Sequence, residues 1–237
     1  MLAEEIQALV FDVFGTVVDW RGSVIREAST LGLAHGIERP WAQFADDWRA
    51  LYQPAMSQVR DGEIPWTTLD ALHRMNLEQM VEQYGLTGLS EIELEQLNYA
   101  WRRLNPWPDT VAGLQRLRER YLLATLSNGN VALMVHLARW AGLPWDAILG
   151  AEFSQSYKPQ PQTYLRTAEA LSLTPAQCLM VSAHNNDLHA ARRCGLRTAF
   201  VYRRTEHGAD QTTDLAPDAD WDVVAEDFLD LAAQLGC

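Results

Sequence analysis

The pattern of hydrophobic positions changes twice along the chain. An unbroken apolar run over 8–11 ends at Asp12 and the turn Gly15–Thr16, as is typical of a buried parallel strand. From about residue 20 to 104 the apolar positions recur at helical spacing. After a Pro-rich hinge at 105–109, short apolar runs alternate with helical stretches. This order predicts an α/β fold with a doubly wound parallel sheet, interrupted after its first strand by an all-helical insertion.

The boundaries of the predicted elements follow from the same pattern. We expect a core domain of residues 1–19 and 105–237 and a helical cap domain of residues 20–104. For the acidic tail at about 214–230 the sequence predicts a solvated loop and a final helix, to which we assign no chemistry. The core strands beyond the insertion are predicted near 122–126, 147–150, 178–181 and 198–201, and the helices near 110–119, 131–141, 162–171 and 188–194.

Composition limits the partners and the compartment. The 237 residues carry 19 basic and 31 acidic side chains, and the net charge of -12 argues against nucleic acid or an anionic membrane as a partner. No apolar run approaches the roughly 18 residues of a membrane span, and no targeting signal is evident. The three cysteines are odd in number and lack metal-ligand spacing, which favours a reducing cytoplasm. We expect a small-molecule substrate and allow for a homodimer.

Polar side chains follow the first predicted strand, and further polar side chains occur at three later places in the core. Ser127 and Asn128 follow the second core strand, Lys158 lies in a later loop, and the segment 182–187 follows the strand at 178–181. Each alone is explained by a helix cap, a surface lysine or a helix N-terminus. Together with Asp12 they mark the carboxyl edge of the sheet, where open α/β sheets bind their ligands.

These segments carry a resemblance to a known superfamily over nearly the whole chain. FDVFGT with Asp12, LSNGN with Ser127, YKP with Lys158 and SAHNND with Asp187 resemble the four motifs of the haloacid dehalogenase superfamily. The helical insertion resembles its cap domain. Within the superfamily the chain is most similar to the L-2-haloacid dehalogenase group, whose cap arginine matches Arg49 in DWR.

Two positions argue against the phosphatases of this superfamily, which are the main alternative. Those phosphatases carry an acid/base Asp two residues after the nucleophile and a Mg²⁺-binding Asp early in the fourth motif. Here the two positions hold Phe14 and Ala183, which can neither transfer a proton nor ligate a hard cation. We therefore expect no phosphoryl transfer, no metal and no cofactor. A non-catalytic binding module is disfavoured because the motif residues are present.

The resemblance implies a role for each motif residue. Asp12 attacks a carbon bearing a leaving group and forms an ester, which water hydrolyses to a 2-hydroxy acid with inversion. Lys158 keeps the carboxylate ionised, and Asp187 orients or activates the hydrolytic water. The remaining residues support these steps: Thr16 and Ser182 orient Asp12, while the turn amides of Val13 and Phe14, with Ser127 and Asn128, bind the substrate carboxylate or the tetrahedral intermediate.

The fourth motif departs from the usual dehalogenase pattern and leaves the substrate open. His184 replaces an Asn that helps position water, and Asn186 replaces a Trp beside the substrate. His184 is either a catalytic contact or a packing residue. The SAHN form, together with the DVFGTVVDWR opening, resembles a subgroup that includes fluoroacetate-active members, and a related hydrolase opens the ring of L-azetidine-2-carboxylate. We expect Trp20, Trp48 and Trp66 to line a pocket for a halogen or a small ammonium group. Arg49 offers a fixed cation for a halide or a carboxylate. We favour 2-haloacids.

Overall fold

The computed structural model describes residues 2–237 and contains a six-stranded sheet and a two-stranded sheet. The strands are β1 (Ala8–Phe11), β2 (Val18–Asp19), β3 (Asn105–Pro106), β4 (Leu122–Ser127), β5 (Ala147–Gly150), β6 (Cys178–Ser182), β7 (Arg197–Val201) and β8 (Val223–Ala225). The helices are α1 (Leu2–Glu5), α2 (Trp20–His35), α3 (Trp41–Ala50), α4 (Tyr52–Arg60), α5 (Leu69–Gln83), α6 (Glu91–Asn98), α7 (Thr110–Arg118), α8 (Val131–Ala141), α9 (Ala151–Ser154), α10 (Pro161–Ala170), α11 (Asn185–Arg193) and α12 (Phe228–Gln234). Short 3₁₀ helices span Tyr99–Arg102 and Pro175–Gln177.

The large sheet is parallel throughout, with the order β5-β4-β1-β6-β7-β8. Alternate residues of the central strand β1 pack into two different cores, because successive side chains point to opposite faces. Leu9 and Phe11 belong to the larger cluster, and Ala8 and Val10 belong to the smaller one. Helices cover both faces, so the predicted doubly wound α/β class is confirmed.

The last residue of β1 is level with residues of both neighbouring strands. Phe11 pairs with Thr125 of β4 on one side and with Val181 of β6 on the other. The chain order reverses here, since β4 and β6 flank β1 on opposite sides. The loops after these three strands therefore open a crevice at the carboxyl edge of the sheet.

The predicted insertion is helical along its length, from α2 through the 3₁₀ helix at Tyr99–Arg102. The small sheet lies at its base, where Val18–Asp19 pairs antiparallel with Asn105–Pro106. The predicted boundaries at 19/20 and 104/105 fall at this sheet. The division into a core domain and a cap domain at these residues stays a prediction.

The structure differs from the predicted elements mainly in the tail. The segment 221–225 is not solvated, because Trp221 is buried and β8 extends the sheet beside β7. A three-residue strand has too few positions to show a period in the sequence. Helix α11 begins at Asn185 rather than at 188, which brings Asp187 into its first turn.

Candidate active site

Three segments deliver the predicted catalytic side chains to the carboxyl edge of the sheet. Asp12 follows β1 directly, and Ser182 is the last residue of β6. Asp187 lies in the first turn of α11, and Lys158 lies in the loop between α9 and α10. Parallel strands bring these distant segments together because their carboxyl ends share one edge.

The carboxylate of Asp12 is buried and held on both oxygens. Oδ1 accepts a hydrogen bond from Lys158 Nζ at 3.0 Å, and Oδ2 accepts one from the Thr16 hydroxyl at 2.8 Å. His184 Nδ1 lies 3.2 Å from Oδ2. Burial alone would raise the pKa of Asp12, but the charge of Lys158 and the hydrogen bond from His184 outweigh it and hold this pKa below its usual value. The nucleophile is therefore ionised at neutral pH.

Lys158 bridges two carboxylates. Its Nζ lies 3.0 Å from Asp12 Oδ1 and 2.6 Å from Asp187 Oδ2. Desolvation favours the neutral amine, but the two carboxylates more than compensate and raise the pKa of Lys158 above its usual value. Asn128 fixes this loop, since its Oδ1 accepts a hydrogen bond from the Lys158 amide at 2.9 Å. The ammonium is thus held charged beside the nucleophile.

Asp187, like Asp12, is a carboxylate with three polar partners. Besides Lys158, it accepts hydrogen bonds from the Tyr164 hydroxyl at 2.6 Å and from the Ser182 hydroxyl at 3.3 Å. The structure corrects the expectation that Ser182 orients Asp12, because its hydroxyl donates to Asp187. Helix α11 starts between the two residues and turns Asp187 back over the end of β6.

A cavity of about 800 Å³ opens above Asp12 and is lined by both the sheet edge and the cap helices. Arg49 enters it from α3 with its guanidinium 4.0 Å from the ring centroid of Tyr52 and 5.2 Å from that of Trp20. The Arg49 Nη1 atom is buried and has no hydrogen-bond partner among the described residues. Predicted residues on the cavity wall are Asp12, Phe14, Trp20, Arg49, Asn128, Lys158, His184, Asn186 and Asp187.

A family model described as haloacid dehalogenase-like hydrolase matches residues 6–195. The chain belongs to this hydrolase family.

Members of the family with known structures resemble this chain over nearly its whole length. The defluorinating L-2-haloacid dehalogenase Rha0230 has 46% sequence identity to this chain. Its crystal structure superposes with a TM-score of 0.96, and the match covers 98% of this chain and 96% of that one. The L-2-haloacid dehalogenase PA0810 is 49% identical, with a TM-score of 0.94 and coverage of 97% and 98%. An (S)-2-haloacid dehalogenase from Xanthobacter autotrophicus is 29% identical over 206 residues, 85% of this chain and 77% of that protein.

Two of the three predicted pocket tryptophans lie away from the cavity of this hydrolase. Trp48 is fully buried and donates a hydrogen bond to the His73 carbonyl at 3.1 Å, so it packs inside the cap. The Trp66 ring packs on the Tyr157 ring, with 4.8 Å between the two ring centroids. Trp20 does line the cavity. The same amphipathic spacing places a tryptophan either toward the cap interior or toward the active site, and only the packing of the helices separates these outcomes.

Of the groups predicted to bind the substrate carboxylate, some are buried away from the cavity and others are available to an anion. The Ser127 side chain is fully buried and its hydroxyl accepts a hydrogen bond from the Gly129 amide at 3.1 Å, so Ser127 shapes the loop and does not line the cavity. The Val13 side chain is buried in the core. The amide N–H groups of Val13 and Phe14 donate to no acceptor among the described residues, which leaves them free for an anion.

Glu206 and Asp214 are acidic residues of this site that were not predicted. Glu206, in the loop after β7, lies 2.8 Å from His184 Nε2 and accepts a hydrogen bond from Trp20 Nε1 at 3.0 Å. Asp214, in the tail to which we assigned no chemistry, lines the cavity and binds the Asn185 amide at 2.9 Å. Both residues lie outside the four motifs, so the sequence carries no signal for them.

Residues 2–237 contain neither a metal-binding cluster nor a helix that could span a membrane. No group of three or more His, Cys, Asp and Glu side chains in this part of the chain has an arrangement that could hold a metal ion. None of its helices combines the length and the apolar character needed to cross a bilayer.

Proposed function

We propose that this hydrolase is an (S)-2-haloacid dehalogenase, which converts a small 2-haloacid to a 2-hydroxy acid with inversion through an ester on Asp12. The similar proteins described as L-2-haloacid and (S)-2-haloacid dehalogenases support this substrate class. Because Rha0230 is described as defluorinating, we include the C–F bond among the candidates.

The observation that carries the proposal is the pairing of an ionised nucleophile with an unpaired cation across one cavity. Asp12 is held as a carboxylate by Lys158, while Arg49 forms no ion pair with the described residues. An in-line displacement needs a nucleophile on one side of the carbon and stabilisation of the departing anion on the other. Arg49 supplies that stabilisation for a halide.

The first step forms the ester. An Asp12 oxygen attacks carbon 2 as the carbon–halogen bond breaks, and the halide leaves with the bonding electron pair. The free amides of Val13 and Phe14, with the side-chain amide of Asn128, bind the substrate carboxylate. In the second step water attacks the Asp12 carboxyl carbon and releases the 2-hydroxy acid.

The geometry disfavours the two other reactions. A phosphatase of this family needs an acid/base and a metal ligand where Phe14 and Ala183 stand. A protonated azetidine ring leaving toward Arg49 would bring two cations together, which raises the energy of that transition state. Halide departure gains from the same arginine.

A parallel assay of L-2-chloropropionate, fluoroacetate and L-azetidine-2-carboxylate tests the proposal. We expect halide release from at least one haloacid and formation of the corresponding hydroxy acid with inverted configuration from L-2-chloropropionate. Formation of 2-hydroxy-4-aminobutyrate without any halide release would replace the proposal with ring opening. Retained configuration would contradict a single in-line attack on carbon.

A further inference from the structure

Behind the nucleophile lies a buried carboxylate that the displacement step does not use. Glu206 is 2% exposed, and its Oε2 lies 2.8 Å from His184 Nε2. The other ring nitrogen, Nδ1, faces Asp12 Oδ2 at 3.2 Å. The three residues therefore form a continuous line of carboxylate, imidazole and nucleophile. In hydrolases this arrangement orients a histidine so that one nitrogen faces the reacting centre and the other binds a carboxylate.

The surrounding structure is shaped to admit Glu206. Gly15 takes a φ of +90°, and a Cβ at that position would lie 2.1 Å from Glu206 Oε1. Trp20 Nε1 donates to the same oxygen at 3.0 Å. Glu206 thus has fixed partners on both oxygens, and it holds the His184 ring in one orientation.

The competing base, Asp187, has a hydrogen-bond partner on each of its oxygens. It accepts hydrogen bonds from Lys158, Tyr164 and Ser182, and Lys158 lies between it and Asp12. His184 has only the two carboxylates as hydrogen-bonding partners of its ring, lines the cavity and retains 18% exposure of its side chain. It can reach a water molecule beside the Asp12 carboxyl carbon.

We propose that His184 is the general base for hydrolysis of the Asp12 ester and that Glu206 is the positioning residue that fixes its tautomer. This inference rests on the proposed ester mechanism. It assigns His184 to the second step only, because the ring contacts the nucleophile itself, whereas a leaving group departs from the opposite side of the attacked carbon.

Formation of the ester would prepare the histidine for this role. In the resting enzyme burial lowers the pKa of His184, but the charge of Glu206 and the hydrogen bond to Asp12 raise it well above its usual value. Alkylation removes the negative charge of Asp12 and leaves only one carboxylate beside the ring. The titratable and charged groups around His184 are Asp12, Lys158, Asp187, Arg49, Glu206 and His207.

Every proton in the proposed catalytic cycle is accounted for. After the halide leaves, the His184 imidazolium releases its Nδ1 proton to solvent. The neutral ring then takes a proton from water while the water oxygen bonds to the Asp12 carboxyl carbon. As the ester C–O bond breaks, this proton goes to the departing alkoxide, and the new Asp12 carboxylic acid returns its proton to Nδ1. The sum is haloacid plus water giving hydroxy acid, halide and one proton.

Rapid-quench kinetics with excess enzyme over L-2-chloropropionate separate the two steps, with the Asp12 ester followed by mass spectrometry. For His184→Asn we expect ester formation within about tenfold of the wild-type rate and hydrolysis slower by about 10²- to 10⁴-fold, the usual range for a lost general base. Glu206→Gln should slow hydrolysis in the same direction. His189→Gln is the matched control, because His189 lies on the same helix, α11, is exposed and binds Asp218.

Two further measurements distinguish a general base from a purely structural histidine. Imidazole added to His184→Gly should restore hydrolysis, which it would not do for a purely structural histidine. In the wild type, a pH indicator should report one proton released with the halide and ahead of the hydroxy acid. Unchanged hydrolysis in His184→Asn, or a proton released only with product, would overturn the inference. Halide release without any ester on Asp12 would instead refute the proposed mechanism itself.

Discussion

The guanidinium of Arg49 lies 4.0 Å from the ring centroid of Tyr52, and no carboxylate among residues 2–237 forms an ion pair with it. A cation that is stacked on an aromatic ring but lacks a counter-ion is ready to accept an anion. We expect Arg49→Ala to lower both kcat and kcat/KM for haloacids by about 10²- to 10³-fold, the cost of losing one donor to developing charge. Steady-state halide release measures both constants.

Arg49→Lys separates charge from shape. Lysine keeps the positive charge but loses the planar group that stacks on Tyr52, so we expect only partial recovery. Arg74→Ala is the control within the cap, because Arg74 pairs with Glu91 on the surface. A rise in KM with an unchanged kcat in Arg49→Ala would show that the arginine binds substrate and transition state equally.

Asp12→Asn should abolish halide release while preserving the fold. The carboxamide has nearly the same shape as the carboxylate but is a poor nucleophile. Circular dichroism and thermal melting check the fold. In the wild type, a single turnover in ¹⁸O-water should leave label in the peptide that contains Asp12, and label found only in the hydroxy acid would indicate direct attack of water on the substrate.

Phosphatase activity should be absent. Phe14 and Ala183 stand where the phosphatases of this family carry an acid/base and a metal ligand, and Ala183 contributes only its amide, which donates to the Thr16 hydroxyl at 2.9 Å. We expect no turnover of p-nitrophenyl phosphate in the presence of Mg²⁺ above the rate without enzyme. Robust turnover that disappears in Asp12→Asn would contradict the assignment of these two positions.

The fold was predictable because its core elements have strong local signals. The predicted helix 131–141 and the predicted strand 147–150 match α8 and β5 residue for residue. Strand β6 differs by one residue at its end. Buried parallel strands are continuous apolar runs, and Gly and Asn residues separate them from the helices. By contrast, β8 has three residues and becomes a strand only because β7 presents an open edge.

The candidate site was predictable only where a motif marks it. Asp12 and Lys158 were found because each lies in a recognisable segment, and the parallel sheet explains why the two meet. Glu206 lies in a loop without a motif, and its role depends on Gly15 and Trp20, which are far away in sequence. Trp48 and Trp20 have similar local sequences but different surroundings. Such tertiary contacts are not encoded in local periodicity.

A buried ion pair connects the turn after Asp12 to the C-terminal helix. Arg203 binds Asp109 through both oxygens at 2.9 and 2.8 Å, and its Nε donates to the Thr16 carbonyl at 2.8 Å. Asp109 Oδ2 also accepts a hydrogen bond from the Phe228 amide at 2.9 Å. The side chains of Arg203 and Asp109 are only 6% and 11% exposed, so removing one partner leaves the other charge buried.

Arg203→Ala should therefore lower the free energy of unfolding by about 3–5 kcal/mol at neutral pH. Burial alone would raise the pKa of Asp109, but the hydrogen bonds and charge of Arg203 outweigh it and lower this pKa. Because the folded pKa is the lower one, the stabilisation is complete above about pH 4, the unfolded value, and is lost as the pH falls through the folded pKa. Denaturant unfolding at pH 7 and at pH 3.5 should show a smaller difference between wild type and variant at the lower pH.

Arg204→Ala, which breaks an exposed pair with Glu226, is the matched control and should lower the free energy of unfolding by less than about 1 kcal/mol. An equal loss in the two variants would mean that burial adds nothing to the Arg203 pair.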